Sequence, residues 1–308
     1  MTTVDLLQAM LSSFVSLIPV TLAQSLMLSF IVLGIMLPFR LLNFPDMTCE
    51  GTYPLGGCVC ATMMASGMSP VPAMAVATLC GFAAGCATAY IHLRFKIHTL
   101  LAGILMMTML YSINLRIMGR SNLSIYDRPS LFEALGMGNV DSSQSKIAIT
   151  TALVIIVLLL LNWFFRTEKG IAMRAVGVNP EMSAAQGINI WTATIVGVGL
   201  ASGFAALSAT LMVQSQGFAD VNMGLGILVN GLAALMIGEA IVGTRRVWQQ
   251  LLAPFVGSVA YYQIVSVFLA AGMPPPDLKL ITGLFVLLML ALPTLRSGTR
   301  QQSFLKSR

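Results

Sequence analysis

Asp46 and Glu50 stand four residues apart in an otherwise apolar stretch, with Asn43 and Thr48 beside them. Asn230 and Glu239 interrupt a second apolar stretch late in the chain. A charge at the centre of a membrane helix costs about 2.5–3.5 kcal/mol on insertion scales. Such residues therefore face a cavity or a partner, where a carboxylate can hold a proton, a cation or a polar solute. On one continuous helix Asp46 and Glu50 would share a face. Pro45, Gly51 and Pro54 break that helix, and irregular backbone at membrane depth is tolerated only where it lines a cavity or is covered by protein. The stretch 217–226, ahead of Asn230 and Glu239, is the counterpart in the second half, and paired broken segments point to a transport path. Asn43, Asp46, Thr48, Glu50, Asn230 and Glu239 are the candidate path residues. The competing role is structural: Arg40 is near enough to pair with Asp46, Arg245 with Glu239, and Asn43 and Asn114 can bond neighbouring helices.

Other chemistry is poorly supplied. The two histidines, His92 and His98, sit together in one basic turn. Cys49, Cys58, Cys60, Cys80 and Cys86 fall in two consecutive apolar segments with no His or acidic residue at ligand spacing, so packing is expected rather than metal or disulfide. No phosphate-binding Gly-x-x-x-x-Gly-Lys-Ser/Thr loop occurs, so the chain cannot itself cradle a nucleotide. An enzyme is not expected, and no cofactor is expected in this chain.

The elements that carry these residues are helices in lipid. Hydrophobic residues make up 57% of 308 and charged residues 9%, against about 25% charged in soluble domains. The net charge of +6 does not mark a nucleic-acid binder, because the basic residues sit singly between apolar runs. A span needs about 20 apolar residues. About nine segments qualify: 16–38, 47–66, 70–91, 97–118, 146–165, 190–213, 225–243, 248–271 and 278–295. The second and seventh are short and broken. The expectation is one all-α polytopic bundle over residues 1–308 with discontinuous helices. If 166–189 is cytoplasmic, twelve Lys and Arg lie inside and five outside, which fits the positive-inside rule. The amino terminus is then outside and the basic tail, with Arg296, Arg300, Lys306 and Arg308, inside. Residues Met1 to Ser13 hold no Lys or Arg, so no removable signal peptide is expected. Gly81 to Gly85 and Gly199 to Gly203 are small-xxx-small patterns that permit close helix approach. The outer loop, about 119–146, holds an amphipathic stretch from Pro129 to Leu135 closed by Gly136; it reads equally as a surface helix or a lid over helix ends.

The inner loop, about 166–189, carries full helix punctuation. Asn179 suits an N-cap, Pro180 the first helical position, and Glu181 the positive end of the dipole. Gly187 can take the left-handed conformation that stops a helix. The result is a helix of about two turns, too short to span; it reads equally as a surface that receives a push from a soluble partner or as an ordinary connector between two spanning helices.

This loop resembles the coupling segment in permeases of binding-protein-dependent ATP-binding-cassette importers, in the branch serving branched-chain amino acids and ribose. That segment runs Thr-x-x-Gly-x-Ala-x-Arg-Ala-x-Gly-x-Asn, then Ala and Gly-Ile. Here Thr167, Gly170, Ala172, Arg174, Ala175, Gly177, Asn179, Ala184, Ala185, Gly187 and Ile188 stand in that order. The stretches Asn43 to Gly56 and Ala233 to Gly243 also look like family segments, with Gly238-Glu239 where ribose-type members have Gly-Gly. Leu42 to Asp46 and Ser112 to Arg120 look closer to amino-acid-type members. The resemblance implies that Thr167, Gly170, Arg174, Gly177, Asn179, Pro180, Glu181 and Gly187 dock on cytoplasmic ATP-binding subunits, which bind the ATP and Mg. It further implies an extracytoplasmic binding protein, a second permease copy (a homodimer), a bacterial inner membrane, and a small polar solute such as an amino acid. An ion-gradient transporter using Asp46, Glu50 or Glu239 is the alternative. A lipid-directed membrane enzyme would want clustered polar residues at the interface, and none are clustered.

Overall fold

A computed structural model describes residues 3–134 and 142–270, with isolated positions 272, 277, 280, 283, 284 and 287. Helix α1 (Thr3–Met36) runs into a π-helical turn, Leu37–Leu41. Then come α2 (Cys49–Ala65), α3 (Pro70–Phe95), α4 (Thr99–Met118), β1 (Asn122–Ser124), α5 (Leu131–Ala134) and α6 (Ser142–Phe164). After these follow α7 (Glu168–Val178), α8 (Pro180–Ala185), α9 (Ile190–Gln216), β2 (Phe218–Asp220), α10 (Ile227–Val242) and α11 (Val247–Ala270).

Among the described residues six helices are long and apolar enough to cross a membrane: Ser16–Leu41, Pro70–Phe95, Thr99–Met118, Ser143–Phe164, Ile190–Gln216 and Val247–Ala270. Helix α2, with 17 residues, and α10, with 16, are shorter. At about 1.5 Å per residue neither covers a hydrocarbon core of about 30 Å. These are the two segments expected to be short and broken. Most of the ninth expected segment, 278–295, and the basic tail lie outside the described residues, as do Lys279 and Gly136.

Close packing uses the small residues. Helix α3 lies along α9 with the two glycine patterns in contact. A Cβ on Gly85 would stand 2.5 Å from the Val198 carbonyl oxygen, and one on Gly199 2.6 Å from Cys86 Sγ. Helices α10 and α11 cross at Gly238 and Gly257, where a Cβ on the latter would come 2.7 Å from the Gly238 nitrogen. The sequence's three tryptophans, Trp163, Trp191 and Trp248, are exposed at one end of the bundle, where α6 ends and α9 and α11 begin. Tryptophan gathers at the membrane–water boundary, which fixes one interface plane. All five cysteines are free.

At the opposite end β1 pairs antiparallel with β2, Leu123 facing Ala219. Leu131 and Phe132 are buried; the Leu131 N–H donates to Gln214 Oε1 at 2.9 Å, and Lys146 Nζ to the Ser215 carbonyl at 3.1 Å. The amphipathic stretch is therefore a lid over helix ends, not a surface helix. The three-residue ladder was not expected, since so short a strand carries no readable period.

Candidate functional site

Beyond the π-helical turn, residues 42–48 climb along α4 before α2 starts. Gly103 lies against them, where a Cβ would come 2.8 Å from Asp46 Oδ1. Gly51 packs farther along, on Met107 and Leu110 at the middle of α4. Asp46 thus precedes α2, while Glu50 sits in its first turn, so they do not share a helix face as expected. Asp46 is 3% exposed. Its Oδ1 accepts from the Thr48 N–H at 2.9 Å and the Thr48 hydroxyl at 2.5 Å, and Thr88 Oγ1 lies 3.2 Å from that hydroxyl. This is an Asx turn that places a carboxylate at the positive end of α2. Asn43 is exposed with φ +48°, a backbone form asparagine tolerates. It is a turn residue rather than a bond between helices.

The second break folds back into the bundle. Gly217 (φ +79°) stops α9, β2 follows, and Asn222 N–H donates to Asp220 Oδ1 at 2.7 Å. Gly224 then lies on the Glu50 carbonyl and the Pro54 ring, with no room for a side chain. Helix α10 starts there, and the backbone N–H groups of Gly226 and Leu228 face the Glu50 carboxylate. Two short helices therefore begin side by side inside the bundle, each with a carboxylate at its positive end: Asp46 for α2, Glu50 for α10. Asn230, one turn into α10, accepts from the Tyr261 hydroxyl at 3.3 Å.

Glu50 is half-buried and borders a cleft of about 30 Å³ with Gly51, Pro54, Tyr111, Asn114 and Asn222. Asn114 is 1% exposed; its Nδ2 donates to the Gly51 carbonyl at 3.3 Å, the α4–α2 bond its sequence position allowed. Its Oδ1 has no partner. Tyr111 and Asn222 escaped the sequence reading; the run Tyr111-Ser112-x-Asn114, polar on a spanning helix, was the available signal.

At the tryptophan end α7 is a separate helix that the sequence reading passed over. Thr167 Oγ1 donates to the Phe164 carbonyl at 2.6 Å, and Gly170 packs directly on residues 164 and 165. Gly177 rests on the Leu41 carbonyl and Leu42, seating α7 on the end of α1; a Cβ there would overlap Leu41. Arg174 is half-buried on the same helix. Asn179 closes α7 and caps α8, its Oδ1 accepting from Met182 N–H at 3.0 Å. Pro180 opens α8, Glu181 lies in its first turn, and Gly187 (φ +83°) follows its end. Val178 is 88% exposed and Met182 59%, flanking exposed Glu181.

Next to Leu41, Arg40 grips α10. Its Nε donates to Glu239 Oε1 at 2.7 Å and its Nη2 to Oε2 at 2.5 Å, a two-pronged ion pair. Neither pairing offered by the sequence holds: Asp46 bonds Thr48, and Glu239 takes Arg40 instead of Arg245. The departure at Gly238-Glu239 has its reason here, since Gly238 lets α11 approach and Glu239 ties α10 to α1. Five of the six candidate path residues accordingly fall in three places: Glu50 and Asn230 at the start of α10, Asp46 and Thr48 before α2, and Glu239 with Arg40 near the tryptophan end. Asn43 stands apart.

A bundle of apolar helices, with two short helices starting inside it and a capped helix projecting from one end, suits the membrane subunit of a transporter. Residues 18–292 match the family described as "Branched-chain amino acid transport system / permease component", and the chain belongs to that family. It is 40% identical over 270 residues to a tyrosine transport system permease protein of Clostridioides difficile (strain R20291), covering 88% of this chain and 89% of that one. It is 33% identical over 274 residues to an uncharacterized protein of Rickettsia prowazekii (strain Madrid E), covering 88% and 95%. No solved structure matches the chain. The family resemblance read from 166–189, and the amino-acid-type placement read from Leu42 to Asp46 and Ser112 to Arg120, are borne out by the family match and the tyrosine permease relative.

Proposed function

We propose that this chain is the membrane-spanning permease of an ATP-driven importer for an amino acid, with tyrosine the first solute to try. The observation that carries the reading is α8: a capped helix on the surface, with α7 seated on α1 behind it, presenting Glu181 and Met182 outward beside Val178 at the end of α7. Exposed apolar side chains on a rigid short helix suit a groove on a soluble partner. The ATP-binding subunit is that partner, and Thr167, Gly170, Arg174, Gly177, Asn179, Pro180 and Gly187 shape the joint. ATP and Mg then belong to the partner. Half-buried Glu50 at membrane depth cannot face lipid without a large cost, so the face bearing Glu50, Tyr111 and Asn222 lies toward a second permease copy and the solute path between them. A binding protein outside the bacterial inner membrane delivers the solute. The amino terminus is outside.

A labelling experiment tests the orientation. Cysteine at Ser142 is expected to react with an impermeant reagent in intact cells, and cysteine at Glu181 only after permeabilisation. Labelling of Glu181→Cys in intact cells would remove the cytoplasmic partner and with it the ATP-driven reading.

A further inference from the structure

The start of α10 is an unusual place for a solute. An unoccupied helix N-terminus inside a membrane protein attracts anions, since its free N–H groups and dipole end are positive. Here both such ends already hold protein carboxylates, Asp46 at α2 and Glu50 at α10. The cleft beside Glu50 therefore has the opposite preference. No Lys or Arg pairs with Glu50 among the described residues, where the one ion pair is Arg40 with Glu239. Asn114 supplies a second acceptor. Its amide orientation is fixed by chemistry: the Gly51 carbonyl can only accept, so the nitrogen must point to it and Oδ1 is left over. That oxygen is buried and without a partner, which in a folded protein marks a place where a donor is missing. The space, about 30 Å³, has room for a group the size of water or ammonium.

We infer that the cleft bordered by Glu50 and Asn114 is a subsite for the ammonium group of the solute during its passage, the rest of the solute lying outside the cleft past Tyr111 and Asn222. This rests on the permease reading above and adds which end of the solute the path holds. Glu50, which already receives the Gly226 and Leu228 N–H groups, supplies the negative charge, and the ammonium supplies the donor that Asn114 Oδ1 lacks. A carboxylate end is turned away by Glu50.

The test uses the full chain in lipid nanodiscs with Leu225, which borders the cleft, replaced by cysteine. The rate of its modification by a methanethiosulfonate reagent is measured with L-tyrosine, with tyramine (ammonium only) and with 3-(4-hydroxyphenyl)propionate (carboxylate only). Saturating L-tyrosine and tyramine are both expected to slow labelling, by about tenfold for a charge-assisted contact. The propionate is expected to leave the rate unchanged. Glu50→Gln keeps an oxygen for the α10 N–H groups but loses the charge, and is expected to abolish the protection. Any other ranking of the three compounds on the Glu50 chain overturns the inference, as does protection that survives Glu50→Gln. No ATPase takes part, so a failed subsite and a failed ATP-driven reading are distinguishable: the latter shows as absent ATP-dependent uptake by the complete complex.

Discussion

Gly177→Val is expected to abolish uptake while the permease stays in the membrane near its native level. A Cβ at this position has nowhere to go, because the Leu41 carbonyl already occupies that space. Overpacking of this kind costs about 1–3 kcal/mol, and the cheapest relief is for α7 to lift from the end of α1. The spanning helices do not depend on that contact, so insertion should survive. Helix α8 follows α7 with only Asn179 between them, so it would lose its fixed position against the bundle. Uptake by the reconstituted complex should fall by at least about tenfold, which corresponds to about 1.4 kcal/mol of lost coupling. Hydrolysis by the ATPase should continue without stimulation by solute-loaded binding protein. Uptake at the native rate would show that the α7–α1 seat transmits nothing.

The second large effect concerns Arg40 and Glu239. Arg40→Glu or Glu239→Arg alone puts like charges in contact where α1 and α10 end, and each is expected to reduce uptake by about tenfold. The double exchange, Arg40→Glu with Glu239→Arg, should restore most of it. The Arg40 side chain is 53% exposed against 13% for Glu239, so water screens the pair. Stability should therefore change by no more than about 1 kcal/mol, visible as a small shift in thermal midpoint. A large loss of uptake with a small loss of stability is what a positioning role gives. If the exchange does not restore uptake, the pair is not the link between α1 and α10.

Much of this was legible in the sequence because bilayer physics narrows the choices. Apolar runs of sufficient length, basic residues between them and breakers within two of them gave the helices and the two short ones. The cap at Asn179, the stop at Gly187 and the glycine patterns of α3 and α9 were readable for the same reason, as each rests on a local rule. Partner choice was not readable. Arg40 could reach several carboxylates by sequence distance, and only the fold of α10 against α1 brings Glu239 to it, 199 positions away. Asp46 and Glu50 look like one pair on a helix, yet the backbone climbs beside Gly103 before α2 begins and separates them. Helix α7 was missed because two glycines, Gly170 and Gly177, interrupt it and it abuts α8 with one residue between them. Tyr111 and Asn222 come together across more than a hundred residues, beyond any local rule.

The most direct measurement is recovery of the ATP-binding subunit on co-purification with the permease carrying Met182→Asp. Met182 projects from α8 and makes no contribution to the buried core, so the bundle should be unharmed and a charge is placed only on the docking surface. The ATP-binding subunit should be lost from the purified complex, with uptake lost alongside while the permease remains in the membrane. Full recovery of that subunit together with native uptake would contradict the assignment of α8 as the joint to an ATPase.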